Sequence, residues 1–134
     1  MSVCSEMFTA LLESKELRYD TRVDSDGDIV VDFPYQGKVA KCFFSGENGE
    51  YFSLYLVYER VPDDKYANVL FVCNELNCRY KWATFYLDQD KDIVIHDDAL
   101  LSVESAADEA FELLVRILKI ADDAKPLIMK AIYA

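Results

Sequence analysis

Apolar residues recur along this chain with two periods, and the alternation between the periods predicts its elements. Met7, Phe8, Leu11 and Leu12 form a stripe at helical spacing over about Ser5 to Glu16. Leu17, Tyr19, Thr21 and Val23 then alternate with Arg18, Asp20, Arg22 and Asp24, the pattern of a half-buried strand. The turn chemistry of Ser25–Asp28 leads to a hairpin partner in which Ile29, Val31 and Phe33 alternate with Val30 and Asp32. A second turn, Pro34–Gly37, precedes two strands, Val39–Ser45 and Tyr51–Arg60, joined by Gly46–Gly49.

Helical spacing returns in Tyr66, Val69, Leu70, Cys73 and Leu76. Pro62 suits the first position of that helix, and Asp63 and Asp64 suit the positive end of its dipole. The helix is expected to span Pro62–Asn77 and to deliver the chain into a strand, Lys81–Asp88. In that strand Ala83, Phe85 and Leu87 share one face and Trp82, Thr84 and Tyr86 the other. A short strand, Asp92–His96, follows an acidic turn. Ser105 and Asp108 are spaced as an N-terminal capping pair for a closing apolar helix to Ala121, broken near Lys125–Pro126.

The order is α-β-β-β-β-α-β-β-α. Antiparallel hairpins interrupted by helices predict an α+β fold, an antiparallel sheet with helices packed on one face. At 134 residues the chain is expected to be a single domain, 1–134.

Charge narrows the partners. A net charge of −11 disfavours nucleic acid and anionic membrane surfaces, because phosphate contacts need clustered Lys and Arg. It suits a cytoplasmic protein, or one whose partner is basic or aggregation-prone. No basic leader opens the sequence and no apolar run approaches transmembrane length. Cys4, Cys42, Cys73 and Cys78 show no CxxC spacing, and reduced, mostly buried thiols are expected.

Candidate chemistry is sparse. Asp24-Ser-Asp-Gly-Asp28 places its glycine too early for a calcium loop, and in Asp88-Gln-Asp-Lys-Asp92 Ile93 stands where glycine belongs. Both are expected to be turns, with no metal site and no cofactor. His96, the one histidine, has no Ser or Cys beside it in local sequence. Acidic surroundings are expected to raise thiol pKa values rather than activate a nucleophile. No catalytic residues are assigned, and no enzymatic activity is expected.

Asn74 and Asn77 share one side of the last helical turn. Asn77 is expected to close the helix, and Asn74 to tie it to a neighbouring strand or loop. Opposite the core-facing positions, Tyr51, Ser53, Tyr55, Val57, Trp82, Thr84 and Tyr86 make a second sheet face. Aromatics with a polar handle are enriched at interfaces, so this face is the candidate partner surface.

The run Val72-Cys-Asn-Glu-Leu-Asn77, the aromatic strand after it, the acidic turn and the closing helix resemble the bacterial YbjN-like family. The resemblance covers nearly the whole chain. It implies a fold like that of type III secretion chaperones, small acidic proteins that pair as dimers and hold other polypeptides. The function expected is therefore a non-catalytic protein-binding or chaperone-like regulatory module with a polypeptide partner, assembled as a homodimer through the Tyr55, Trp82 and Tyr86 face or the closing helix. The alternative is a small-molecule-binding or enzymatic domain with a pocket near Asn74, Tyr86 and His96.

Overall fold

The computed structural model describes residues 2–133. Its elements are α1 (Val3–Ser14), β1 (Asp20–Val23), β2 (Ile29–Tyr35), β3 (Lys38–Ser45), β4 (Tyr51–Arg60), α2 (Tyr66–Arg79), β5 (Thr84–Leu87), β6 (Asp92–Leu100) and α3 (Ala106–Tyr133). Single 3₁₀ turns, Asp63–Lys65 and Val103–Ser105, lead into α2 and α3. The six strands form one antiparallel sheet in the order β1-β2-β3-β4-β6-β5, with α1, α2 and α3 packed on one face.

Alternation sets the two faces. Val31, Cys42, Leu54 and Ile95 point into the helical side, as do Phe44, Phe52 and Phe85, and all are buried in one apolar cluster. From α1, Phe8 packs on Phe44 and Phe52 at ring separations of 5.5 and 6.4 Å. Ala110, Leu114 and Ile117 bring α3 onto the same cluster. Full burial of one such side chain contributes about 1.5–3 kcal/mol, so this face supplies most of the driving force for folding.

Several boundaries differ from the sequence reading, each for a local reason. The first helix starts at Val3 rather than Ser5, because Ser2 and Ser5 form a reciprocal capping box. Its N-terminus docks on the β3–β4 hairpin, where Cys4 N–H donates to the Asn48 carbonyl at 2.9 Å. Gly49 permits this approach: its φ is +76°, and a Cβ there would run into Ser2. β6 runs to Leu100 instead of stopping at His96, since Asp97, Asp98 and Ala99 pair with Leu54, Ser53 and Phe52. The helix is not broken at Pro126: α3 continues for 28 residues through it. Ala124, Ile128 and Ile132 are buried on both sides of the proline, and that burial offsets the hydrogen bond it removes.

Candidate binding face of the sheet

Cross-strand register builds an aromatic strip on the face without helices. Phe43 stands opposite Ser53, Tyr55 opposite His96, and Tyr86 opposite Val94. The rings meet across four strands. Phe43 and Tyr55 are edge-on at 5.5 Å, Tyr55 stacks on His96 at 4.5 Å and 14°, and Tyr86 meets His96 edge-on at 6.3 Å. Tyr51, Val57, Thr84 and Tyr86 are exposed, with Tyr51 at 59%. Burial, and after it the Asp98 carboxylate, pushes the Tyr55 phenol above its ordinary pKa. Burial also raises that of Tyr86, followed by Tyr55, Asp88 and Asp98. Both hydroxyls are therefore donors at neutral pH.

Phe43 was not assigned to this face from sequence. The signal was present in the Gly46–Gly49 hairpin, whose register puts Phe43 across from Ser53. Trp82 differs in the other direction. It precedes β5 and lies under the Arg116 guanidinium of α3, 5.6 Å from the ring centre, so it belongs to the edge of the helical layer rather than to the Tyr55–Tyr86 strip.

Neither asparagine takes the role read from sequence: α2 runs past Asn77 to Arg79, so Asn77 does not close it, and the tie to a strand is made by Asn77 rather than Asn74. Asn77 donates to the Phe85 carbonyl at 3.0 Å and accepts from Phe85 N–H at 2.7 Å, while Asn74 is exposed. β5 is an edge strand, and Asn77 satisfies the backbone groups that a seventh strand would otherwise pair. Asn74 sits on α2, whereas Tyr86 and His96 lie on the opposite side of the sheet. The three do not line one pocket.

The structure does bring a serine to His96, through register rather than local sequence. Ser53 Oγ donates to Asp98 Oδ1 at 2.6 Å, and His96 Nε2 lies 2.9 Å from the same oxygen. A serine nucleophile needs the imidazole between hydroxyl and carboxylate. Here Asp98 occupies the middle, so His96 is not placed to take the Ser53 proton. Burial raises the Asp98 pKa, but the bonds from Ser53 and His96 outweigh it and hold the carboxyl below its usual range. The buried thiols are not activated either: burial pushes Cys73 up to about 11 and Cys42 higher still.

Both acidic segments are turns of one design. Asp24 Oδ1 accepts from Asp26 and Asp28 N–H at 3.0 and 2.9 Å, and Asp88 Oδ1 accepts from Asp90 and Asp92 N–H at the same distances. Gly27 takes positive φ in the first and Lys91, at +62°, in the second. Each turn gathers three carboxylates within 4.8 Å of one another. In each, one oxygen of the first carboxylate serves the turn itself, and the spacing mismatches noted in the sequence remain.

Between these turns, the strip floors a shallow depression of about 490 Å³. Asp24, Asp26 and Asp28 line one end and Asp88 the other, with Phe43, Tyr55 and Tyr86 between. Lys41 is the cation on its wall.

Comparison with known proteins agrees with this architecture. A family profile described as "Putative bacterial sensory transduction regulator", YbjN, matches residues 5–126. Among curated proteins, none matches the sequence. Among solved structures, the chain is similar to the type III secretion chaperone SycH of Yersinia pestis, crystallised with a stable fragment of YscM2. The two share 8% identity and superpose with a TM-score of 0.58, over 90% of this chain and 98% of SycH. The α+β fold is thus that of a secretion chaperone.

Proposed function

The chain belongs to the YbjN family, and on that premise we propose that it is a single-domain, non-catalytic module that holds a polypeptide partner on the open face of its sheet and assembles as a homodimer. The observation that carries this reading is the uncovered strip Phe43–Tyr55–His96–Tyr86. All three helices serve the other face, and among the described residues nothing covers these large rings, three of which carry polar handles. The crystallisation of SycH with a polypeptide fragment supports the same reading by analogy of fold. The Ser53–Asp98–His96 order argues against a serine nucleophile at this face. A cytoplasmic setting accords with four unpaired cysteines and a net charge of −11. Among the described residues no helix is long and apolar enough to cross a membrane.

A photo-crosslinking amino acid in place of Tyr51, irradiated in cells of the native host, tests the proposal. Discrete polypeptide adducts are expected from this position and none from the same probe at Arg18. Absence of adducts at Tyr51, together with saturable thermal stabilisation by one small metabolite, would replace it with the small-molecule reading.

A further inference from the structure

Resting on the polypeptide-holding reading, we propose that the occupant of the open face is a basic segment of another protein, lying across the strands, with Lys or Arg at both ends of a short apolar stretch. The groove dictates this pattern. One end is closed by the β1–β2 turn with Asp24, Asp26 and Asp28, and the other by Asp88 beyond β5. These turns sit at the two opposite edges of the sheet, because β1 and β5 are its outermost strands. Carboxylates therefore flank the aromatic floor on both sides.

The local charge is under-compensated. Burial, then the neighbouring charges of Asp24 and Asp26, push the Asp28 carboxyl above its usual range, as expected where carboxylates crowd; Arg22, which feels the charge of Asp24, is bonded to Asp32 instead. Nearby cations are engaged with acids or sit at the wall: Arg22 pairs with Asp32 at 2.7 Å, Lys91 turns to Asp63 at 2.7 Å, and Lys41 lines the middle of the groove. Between the acidic ends, Tyr55 and Tyr86 offer ring faces and hydroxyl donors, which suit guanidinium stacking and backbone carbonyls alike.

The two turns also lie at opposite ends of the strands, so the segment runs diagonally over the sheet. Six strands at roughly 4.8 Å spacing span about 24 Å, which sets a minimum of about seven extended residues. A second copy of this chain is a poor occupant. A two-fold contact over this face would set the acidic turns of one protomer against a surface that is itself acid-rimmed, on a chain of net charge −11.

Two ten-residue peptides test the proposal by fluorescence anisotropy. Both carry the same Val- and Tyr-containing centre; one has two lysines at each end and the other two glutamates. The lysine peptide is expected to bind at least tenfold more tightly, and to weaken several-fold between low and physiological salt. The combined variant Asp26→Asn, Asp28→Asn and Asp88→Asn keeps the amide oxygens the turns require and is expected to lose at least tenfold in affinity for that peptide. Tyr55→Ser should weaken both peptides. Equal binding of the two peptides would overturn the charge assignment while leaving the polypeptide-holding reading intact. Binding of neither would overturn the assignment as well, and if Tyr51 crosslinking also yields no adduct, that reading falls with it.

Discussion

Asn77 carries more of this structure than its neighbours in sequence. Its amide fills both outward-facing backbone groups of Phe85, and leaving them unpaired at a partly buried sheet edge should cost about 1–3 kcal/mol. Asn77→Ala is therefore expected to lower the denaturant midpoint, while Asn74→Ala, at an exposed site, should shift stability by less than about 0.5 kcal/mol. From the sequence that tie was expected of Asn74; the structure gives it to Asn77, because the two lie a single helical turn apart and only the docking of α2 on β5 distinguishes them.

Asp97 is the second residue with a measurable signature. It stands on the core side of β6, where its Oδ2 is buried without a hydrogen-bond partner. Burial raises its pKa, and the backbone N–H of Asp98 lowers it only in part. A carboxyl whose folded pKa lies above the unfolded value favours folding when protonated, and loses that contribution as pH rises through the folded pKa. Asp97→Asn should thus melt higher than the parent at pH 7, and the gap should narrow on acidification, as the parent carboxyl takes up its proton. A gap that widens on acidification would contradict this account.

At the scale of elements, alternation was a strong guide and termini were weak ones. Tyr51–Arg60 and the two acidic turns fall where the hydrophobic pattern puts them, since one buried face leaves little freedom in register. The end of β6 was hidden because the alternation stops at His96 and aspartate is a poor strand former, although register keeps Asp97 and Asp98 in the sheet. Pro126 was misleading for a comparable reason. Its local penalty is real, but Ile128 and Ile132 are held by the core beyond it. Pro126→Ala restores a backbone donor within α3 and should stabilise the protein by about 2 kcal/mol, after allowance for the freer unfolded chain. Denaturant unfolding measures this directly. A neutral or destabilising result would mean that the helix is adapted to a proline-induced bend.

For the whole molecule, the division into a helix-covered face and an open face was legible from the sequence, and the electrostatic design of the open face was not. Asp24–Asp28 and Asp88–Asp92 are far apart in the chain, and only the strand order β1-β2-β3-β4-β6-β5 sets them at the two ends of one groove. The same geometry bears on assembly. Acid-rimmed faces disfavour self-contact, whereas the apolar groove of Phe71, Val72, Leu127 and Ala131 between α2 and α3 carries no such penalty, and Phe71 is 64% exposed. Light scattering at micromolar concentration is expected to give twice the 15.4 kDa chain mass, and Phe71→Glu to reduce it toward one chain. A monomer at every concentration would remove the dimer.

The central claim is that the open face, not the helical layer, receives the partner. Amide chemical-shift mapping with the lysine-flanked peptide tests it most directly. The account predicts changes concentrated at the turn 24–28 and at 41–45, 51–57, 84–88 and 94–98, the segments that surround Tyr55, Tyr86 and His96. Changes confined to α2 and α3, with the sheet amides unmoved, would contradict it.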